Sequence, residues 1–307
     1  MNSTNKINYD LRPAKFAERK MILSFLNTLC GFYGHDYQYI GFGGIQFTDF
    51  RLVHLELGLK DMISIEGGDN TNKDRLEFNN PFEFIELRFG RSDSVLNKIN
   101  LNRKTIVWLD YDDDLERFMF NDILTLFTSL PKGSIYFVTC KRQLQDKTTG
   151  DIYNVDKFKE TFREFIPFGI KKKDLNGNNN FKTIRKMFLE TINNTLRKRD
   201  ENLAFFQLFN FLYQENNGAK MYSFGGLIED ESFDIDDLSH DNFRFLRKEE
   251  EPCRIKIPLL TIKEMNRINE NHNDIKIFKD LQIVLPNRVD EYLEIYRYLP
   301  IYKDVGQ

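Results

Sequence analysis

Three short stretches of this chain carry residues whose types and spacing suit chemistry. Gly41, Gly43 and Gly44 lie at the end of the aromatic and β-branched run Tyr37–Phe42. Glycine there lets a chain turn sharply and lets a ligand approach its backbone. Glu66 ends the next apolar run, Met62–Ile65, and a carboxylate at the end of a second strand can hold the hydroxyls of a ribose. Asp110 and Asp112 follow the almost wholly apolar run Lys104–Leu109. A carboxylate there can take a proton, and two together can ligate a hard divalent cation. Glycine turn, then helix, then acid at the next strand end is the order of a nucleotide-binding α/β sheet. A βαβ unit with no ligand has the same order, and Gly67 and Gly68 fit either an open sheet edge or an ordinary loop.

The elements that must position these residues follow from periodicity. Pro13 can start a helix whose apolar face is Phe16, Met21, Ile22, Phe25, Leu26 and Leu29, running to Cys30. Its basic residues Arg12, Lys15, Arg19 and Lys20 read as a solvated face, or as a clamp on an anionic substrate beside the sheet. Thr48 and Asp49 are candidate caps for a helix through Phe50, Val53 and Leu57, closed by Gly58. Arg75–Phe78 is expected as a brief strand, Phe82–Phe89 as a third strand, Lys104–Leu109 as a fourth and Ser134–Thr139 as a fifth. A helix over Leu115–Leu130 separates the last two, and its acidic approach, Asp112–Asp114, suits a helix N-terminus. Helices are expected over Val155–Phe165 and Phe181–Arg199, with a polar hinge or insertion at 171–180 between them. Strands Ala204–Tyr213 and Lys220–Ile228 flank Asn217-Gly218, a hairpin signal. An acidic linker, Glu229–Asp241, leads to a short strand at Arg254–Leu260, a helix capped by Thr261 and running to His272, and a helix at Val289–Tyr298.

The alternation predicts an α/β fold: a Rossmann-like doubly wound sheet of about seven strands with a terminal antiparallel hairpin. An N-terminal helix and a small C-terminal α-rich extension complete it. The expected division is a helical lead over 1–36 (with 1–12 flexible or draped), an α/β domain over 37–230 with a helical insertion at 151–201, and a cap or partner-binding extension over 231–307. Gly41–Gly44, Glu66, the Gly90–Asp93 turn and Asp110–Asp112 then share the carboxyl edge of the sheet, where open α/β sheets bind ligands.

Composition sets outer bounds. With 307 residues and 41% hydrophobic side chains, the chain can bury a sizeable core. Lys and Arg number 44 against 47 Asp and Glu, a net charge of −3 that does not announce a nucleic-acid partner. Cys30, Cys140 and Cys253 are too scattered for a zinc site or a disulfide scaffold and suit a reducing cytoplasm. No apolar run is long enough to span a membrane, and the polar start lacks the apolar segment of a secretory signal, so cytoplasmic location is expected. The 29 phenylalanines read as compositional bias of the source genome rather than a stacking platform. His35 and His54 are the histidines nearest the site in sequence, and His54 reads as a packing residue.

These residues resemble the class I S-adenosylmethionine-dependent methyltransferases, over residues 37–228. In that family the cofactor turn carries an acid and then alternate glycines. Here Tyr39 stands at the acid, Gly41 and Gly43 match, and Ile45 replaces the third glycine. Glu66 matches the ribose-binding acid, Gly90-Arg91-Ser92-Asp93 the adenine-contacting turn, and Asp110 and Asp112 the active-site strand end, in a pattern similar to small-molecule O-methyltransferases. The resemblance implies O-methyl transfer from S-adenosylmethionine to an unidentified acceptor. Gly41, Gly43, Gly44 and Glu66 would hold the cofactor, with Ser92 or Asp93 near adenine. Asp110 would be the base or the ligand of a divalent cation, supported by Asp112. The opening LRPAKFAERK with WLDYDDDL also resembles a bacterial methyltransferase-like family associated with phage defence. The rival readings are a catalytically degenerate relative, serving as an interaction subunit or nucleotide sensor with a protein partner on 231–307, and an NAD-dependent dehydrogenase. The terminal hairpin and the lack of a second mononucleotide half argue against the dehydrogenase.

Overall fold

The computed structural model describes residues 12–67, 72–215, 218–238, 243–271 and 283–300. Gly68 and the lead before residue 12 lie outside the described residues. Five apolar runs become five parallel strands: β1 (Gln38–Gly41), β2 (Asp61–Glu66), β3 (Ile85–Phe89), β4 (Thr105–Asp110) and β5 (Ile135–Lys141). The long strands β6 (Leu203–Gln214) and β7 (Lys220–Asp230) form the expected antiparallel hairpin, and β8 (Cys253–Ile255) runs parallel to β6. One eight-stranded sheet results, in the order β3-β2-β1-β4-β5-β7-β6-β8. The order reverses direction between β1 and β4, the switch point at which doubly wound sheets open a crevice. The α/β class, the hairpin and both terminal helical additions stand as expected, with β8 as the strand beyond the seven.

Two apolar layers cover the sheet. On one face α1 (Pro13–Tyr33) and α2 (Thr48–Leu57) pack over Tyr39, Ile106, Trp108 and Phe137. On the other, α5 (Arg117–Ser129) and α8 (Asn180–Leu196) cover Ile40, Val107, Leu109 and Val138. The alternation along β4, with Trp108 on one face and Leu109 on the other, is the period-2 pattern of a strand buried on both sides. The segment after β7 returns over the first face. Phe243 and Phe245 join Phe25 and Phe209 there, and the side-chain amides of Gln207 and Asn210 donate to the carbonyls of Arg247, Glu249 and Glu250.

Several local expectations are corrected. Residues 75–78 are not a strand but part of helix α3 (Lys73–Asn79), which Asn72 caps by accepting from the Arg75 amide. The first residue of α2 is Thr48, so neither Thr48 nor Asp49 caps it. Phe47 holds the cap position in a left-handed conformation, φ 51 and ψ 32. The 171–180 segment is not a plain hinge, since it holds the short helix α7 (Lys172–Leu175) and a 3-10 turn at 177–179. Helix α6 (Val155–Phe162) precedes it. Helix α5 begins at Arg117, beyond the acidic run, so Asp112–Asp114 do not sit in its first turn. The C-terminal strand is Cys253–Ile255, shorter than expected. The following helices are α9 (Ile262–Glu270), with the predicted Thr261 cap, and α10 (Pro286–Ile295). His272 lies outside the described residues.

The hairpin passes between two backbones at a pair of glycines. A Cβ at Gly226 would lie 2.1 Å from the Phe206 carbonyl oxygen, and one at Gly225 would lie 2.5 Å from that of Tyr136. Backbone atoms in a packed sheet cannot yield as a flexible side chain can. Gly226→Ala is expected to cost about 1–3 kcal/mol or more, read as a lower urea midpoint. An unchanged midpoint would show that the hairpin can shift.

Candidate active site

The glycine turn is built by contacts that exclude a side chain. A Cβ on Gly43 would sit 2.5 Å from the Phe47 ring and 2.6 Å from Ser64 Oγ, and one on Gly41 would meet the Trp108 carbonyl oxygen at 3.0 Å. Phe47 is fully buried and packs edge-on against Phe50, and its left-handed backbone is rare for a bulky residue. Burial over-determines that conformation, so the turn is held rigidly between β1 and α2.

Glu66 reaches this turn from the end of β2. Its Oε1 accepts from the Gly43 amide at 3.1 Å, the Gly44 amide at 3.2 Å and Ser64 Oγ at 2.6 Å. The carboxylate is buried, and burial raises its pKa above the ordinary value against the lowering pull of those three donors. Glu66 therefore binds the glycine turn itself and fixes the spacing of the two strand ends.

At the end of β4, Asp110 meets the N-terminal helix. Lys15 Nζ lies 2.9 Å from Asp110 Oδ2 and 2.7 Å from Glu18 Oε2, and Lys15 is only 1% exposed. Trp108 and Tyr213 present ring faces 5.6 Å from the same ammonium. Ser223 donates to the other oxygen of Glu18 and contacts Thr139 Oγ1 at 2.8 Å. Asp110, Thr139 and Ser223 are register partners on three adjacent strands, so one polar row crosses the sheet beneath α1. Arg19, one turn along, makes a two-point ion pair with Asp49, at 2.5 and 3.2 Å. The expected solvated face of α1 is thus corrected in part: Lys15 and Arg19 are turned into the sheet, while Lys20 pairs with Glu56 at the surface.

The two carboxyls on Lys15 move in opposite directions. Burial alone would raise Asp110, but the Lys15 ammonium and the Arg19 guanidinium outweigh it and hold Asp110 below its ordinary pKa. Burial raises Glu18 by more than the Lys15 ammonium lowers it, and Asp110 adds a smaller repulsion. Lys15 itself is pulled down by burial and raised further by Asp110 and Glu18, so it stays an ammonium.

Between these groups opens a cleft of ≈480 Å³, lined by Arg19, Gly43, Gly44, Asp49, Asp110 and Asp112 among others. Ile45, at the position of the third family glycine, also lines it. Tyr39, at the position of the family's acid, lies 1% exposed beneath α2 against Phe50. Gly41 closes the floor of the turn. Asp113 and Asp114, beside Asp112, are matched by Lys141 and Lys147. Among the described residues, no group of three or more His, Cys, Asp and Glu side chains could hold a metal ion. His54 Nδ1–H donates to the Leu59 carbonyl and the ring packs beside Phe82 and Phe84, as expected of a packing residue.

Ser92 and Asp93 lie apart from this cluster. Ser92 opens α4 (Ser92–Leu96), is buried, and donates to Asp122 Oδ2 at 2.6 Å, which also accepts from Tyr111. Asp93 takes both oxygens to Arg91, at 2.7 Å each. Burial pushes the Asp122 carboxyl from 3.8 up to about 6, against the two hydroxyl donors. Lys15, Glu18, Arg19 and Asp122 were not singled out from sequence as site groups, apart from the basic pair as a clamp. The available signal was a polar residue at an inward position, Glu18 on α1 and Asp122 on α5.

Two stability measurements test this account. Lys15→Met leaves Glu18 and Asp110 buried without their cation and is expected to cost about 3–5 kcal/mol, part of which Glu18→Gln restores. A loss below 1 kcal/mol by urea unfolding would remove Lys15 from this role. The folded state holds the Asp122 proton more tightly than the unfolded state. Its contribution is therefore full below about pH 4 and lost as pH rises through about 6, a swing of about 3 kcal/mol. Asp122→Asn should gain that amount on the native chain between pH 4 and pH 7.5, and a pH-independent difference would refute the burial account.

A profile of the family described as "Putative O-methyltransferase" matches residues 7–307. No curated protein sequence matches the chain. Among solved structures, an O-methyltransferase from Bacillus cereus in complex with SAH overlaps 73% of this chain and 84% of its own, at 9% identity and TM-score 0.40. The Methanococcus jannaschii fibrillarin pre-rRNA processing protein overlaps 64% of this chain and 68% of its own, at 12% identity and TM-score 0.37. LepI in complex with SAH and a substrate analogue overlaps 66% of this chain at 9% identity and TM-score 0.37, and the chain covers 46% of its length.

Proposed function

The chain belongs to this O-methyltransferase family, and we propose that it transfers the methyl group of S-adenosylmethionine to an oxygen of an acceptor bound in the cleft. The observation that carries this reading is the convergence of the glycine turn, Glu66 and Asp110 on one sheet edge. The residues fit the cofactor. Gly43 and Gly44 line the cleft, and the Glu66 carboxylate behind them would take the ribose hydroxyls. When bound, the sulfonium supplies an electrophilic methyl carbon for in-line displacement by the acceptor oxygen.

The chain's own residues position the partners of that displacement. Glu66 offers its carboxylate to vicinal hydroxyls, exchanging its bonds to the Gly43 and Gly44 amides for bonds to a ribose. Gly43 and Gly44 leave the backbone open where the cofactor chain would pass. Asp110 accepts from the acceptor hydroxyl and orients it. Because Lys15 and Arg19 hold Asp110 below its ordinary pKa, it is a weak base. It therefore suits an acceptor whose hydroxyl is already acidic, phenolic in character. Asp112 lines the same wall and supports the acceptor. Ser92, through Asp122 and Tyr111, and Asp93, through Arg91, brace the turn that would face adenine. The family match and the cleft chemistry support these roles.

Isothermal titration with S-adenosylmethionine and S-adenosylhomocysteine tests the reading directly. Micromolar binding of both is expected, weakened about tenfold or more in Glu66→Ala, since a carboxylate–hydroxyl pair is a charge-assisted hydrogen bond. Absence of binding would refute the enzyme. Binding without transfer to any phenolic acceptor would favour the degenerate subunit, in which Asp110 serves only to hold Lys15.

A further inference from the structure

A second cleft, of ≈490 Å³, opens at the same end of the sheet on the opposite face, lined by Arg142, Gly177, Asn178, Asn180 and Lys220 among others. Strand alternation sets the face. Thr139 turns toward α1, and Arg142, three residues on, turns the other way, toward α8. The Arg142 amide donates to the Lys220 carbonyl at 2.7 Å, which extends the β5–β7 ladder and sets the two basic residues opposite one another.

Arg142 is an unusual arginine. It is 8% exposed, its Nε is buried without a hydrogen-bond partner, and its guanidinium makes no ion pair among the described residues. An unpaired buried cation is costly and is normally matched by an acid or a bound anion. No acid faces it. The neighbouring charge is Arg254, on β8, and together with burial it lowers the Arg142 pKa. Arg185, on the same side, is bonded to the neutral side chain of Gln207.

The backbone adds to this charge. Asn180 is the first residue of α8, a helix of 17 residues whose start has no side-chain cap and no acid in its first turn. The positive end of that helix borders the cleft through Asn180, as in helix-terminal phosphate sites. Asn180 lines the cleft, is 5% exposed, and its Oδ1 is buried without a donor.

We propose that Arg142, Lys220 and the N-terminus of α8 form a binding site for a phosphate group, free or carried as a monoester by a small molecule. Two cations and helix amides supply donors to the phosphate oxygens, and a protonated phosphate oxygen or ester hydroxyl satisfies Asn180 Oδ1. The site stands on the face away from Asp110 and does not depend on methyl transfer.

Calorimetric titration of the full chain at constant ionic strength, with inorganic phosphate, glycerol phosphate and acetate, tests the assignment. Binding of phosphate or glycerol phosphate is expected, and Arg142→Gln should weaken it about tenfold or more, the scale of one charge-assisted contact. Tighter binding of glycerol phosphate points to an organic phosphate, and tighter binding of inorganic phosphate to the free ion. Arg142→Gln should melt no lower than the native chain without phosphate, because an unpaired buried charge is removed, and should lose the rise in melting temperature that phosphate produces. No binding of either phosphate, equal binding by the variant, or acetate binding as tight as phosphate would overturn the proposal.

Discussion

One buried ammonium organises the edge of this sheet. Lys15 leaves water entirely, and taking an ammonium out of water costs several kcal/mol that a single carboxylate rarely offsets. Here Glu18 and Asp110 both lie within 3 Å of it, and the rings of Trp108 and Tyr213 add a cation–π environment. Glu18 and Lys15 are three residues apart on one helix, so their pairing is local. Asp110 is ninety-five positions away by number, and its bond to Lys15 pins α1 across the mouth of β4. Arg19 repeats the device one turn along, on Asp49 of α2. The helix before the first strand is therefore part of the site's wall.

That arrangement sets the electrostatics of the cleft. Three carboxylates, Asp49, Asp110 and Asp112, line it with one guanidinium, while Lys15 sits behind Asp110. A wall of this kind favours a cationic group in front of it, and Lys15 and Arg19 hold Asp110 below the pKa that burial would give it. Glu18 takes the opposite shift because it is deeper and shares its cation with Asp110. The two carboxyls therefore divide the work: Asp110 remains charged at the cleft, and Glu18 relieves the surplus negative charge within the core by holding a proton more readily. Their pKa values are those of a coupled cluster rather than of separate residues.

Much of the fold was legible in the chain. The strands of the parallel half, the hairpin after α8 and the Thr261 cap are all consequences of local periodicity and turn chemistry, which a sequence displays directly. Gly43 and Glu66 were legible as neighbours because one βαβ unit contains both. The pairing of Lys15 with Asp110 was not, because nothing local distinguishes a basic helical face turned to water from one turned to buried carboxylates. The distinguishing signal is distributed: Asp110, Thr139 and Ser223 are polar residues at inward positions of three strands, and they align only once the strand order is known. The error over Arg75–Phe78 has a local cause. Asn72 caps a helix there, and a short segment with aliphatic and aromatic residues is ambiguous between strand and helix. Phe47 in a left-handed conformation was beyond reach, since tertiary packing overrides the preference of the residue.

The net charge of −3 conceals an asymmetry that matters more than the sum. On the α1 side of the sheet edge, each buried cation is matched: Lys15 by two carboxylates, Arg19 by one. On the α8 side, Arg142 has a buried Nε and is matched by no acid among the described residues, with Arg254 close enough to lower its pKa. Like charges brought together in a partly desolvated place raise the cost of folding, and a fold keeps such a cluster only where something else recovers that cost. A structural explanation would require the guanidinium to bridge backbone carbonyls, as Arg199 does with Phe127 and Leu130. Arg142 bridges none among the described residues. The proposed anion from outside the chain would answer that charge, and the start of α8, which has no side-chain cap, borders the same cleft with the same electrostatic preference. Two clefts of opposite character at one end of a sheet then follow from strand alternation alone: neighbouring side chains on β5 and β7 point to opposite faces, and each face has recruited a different sign of charge.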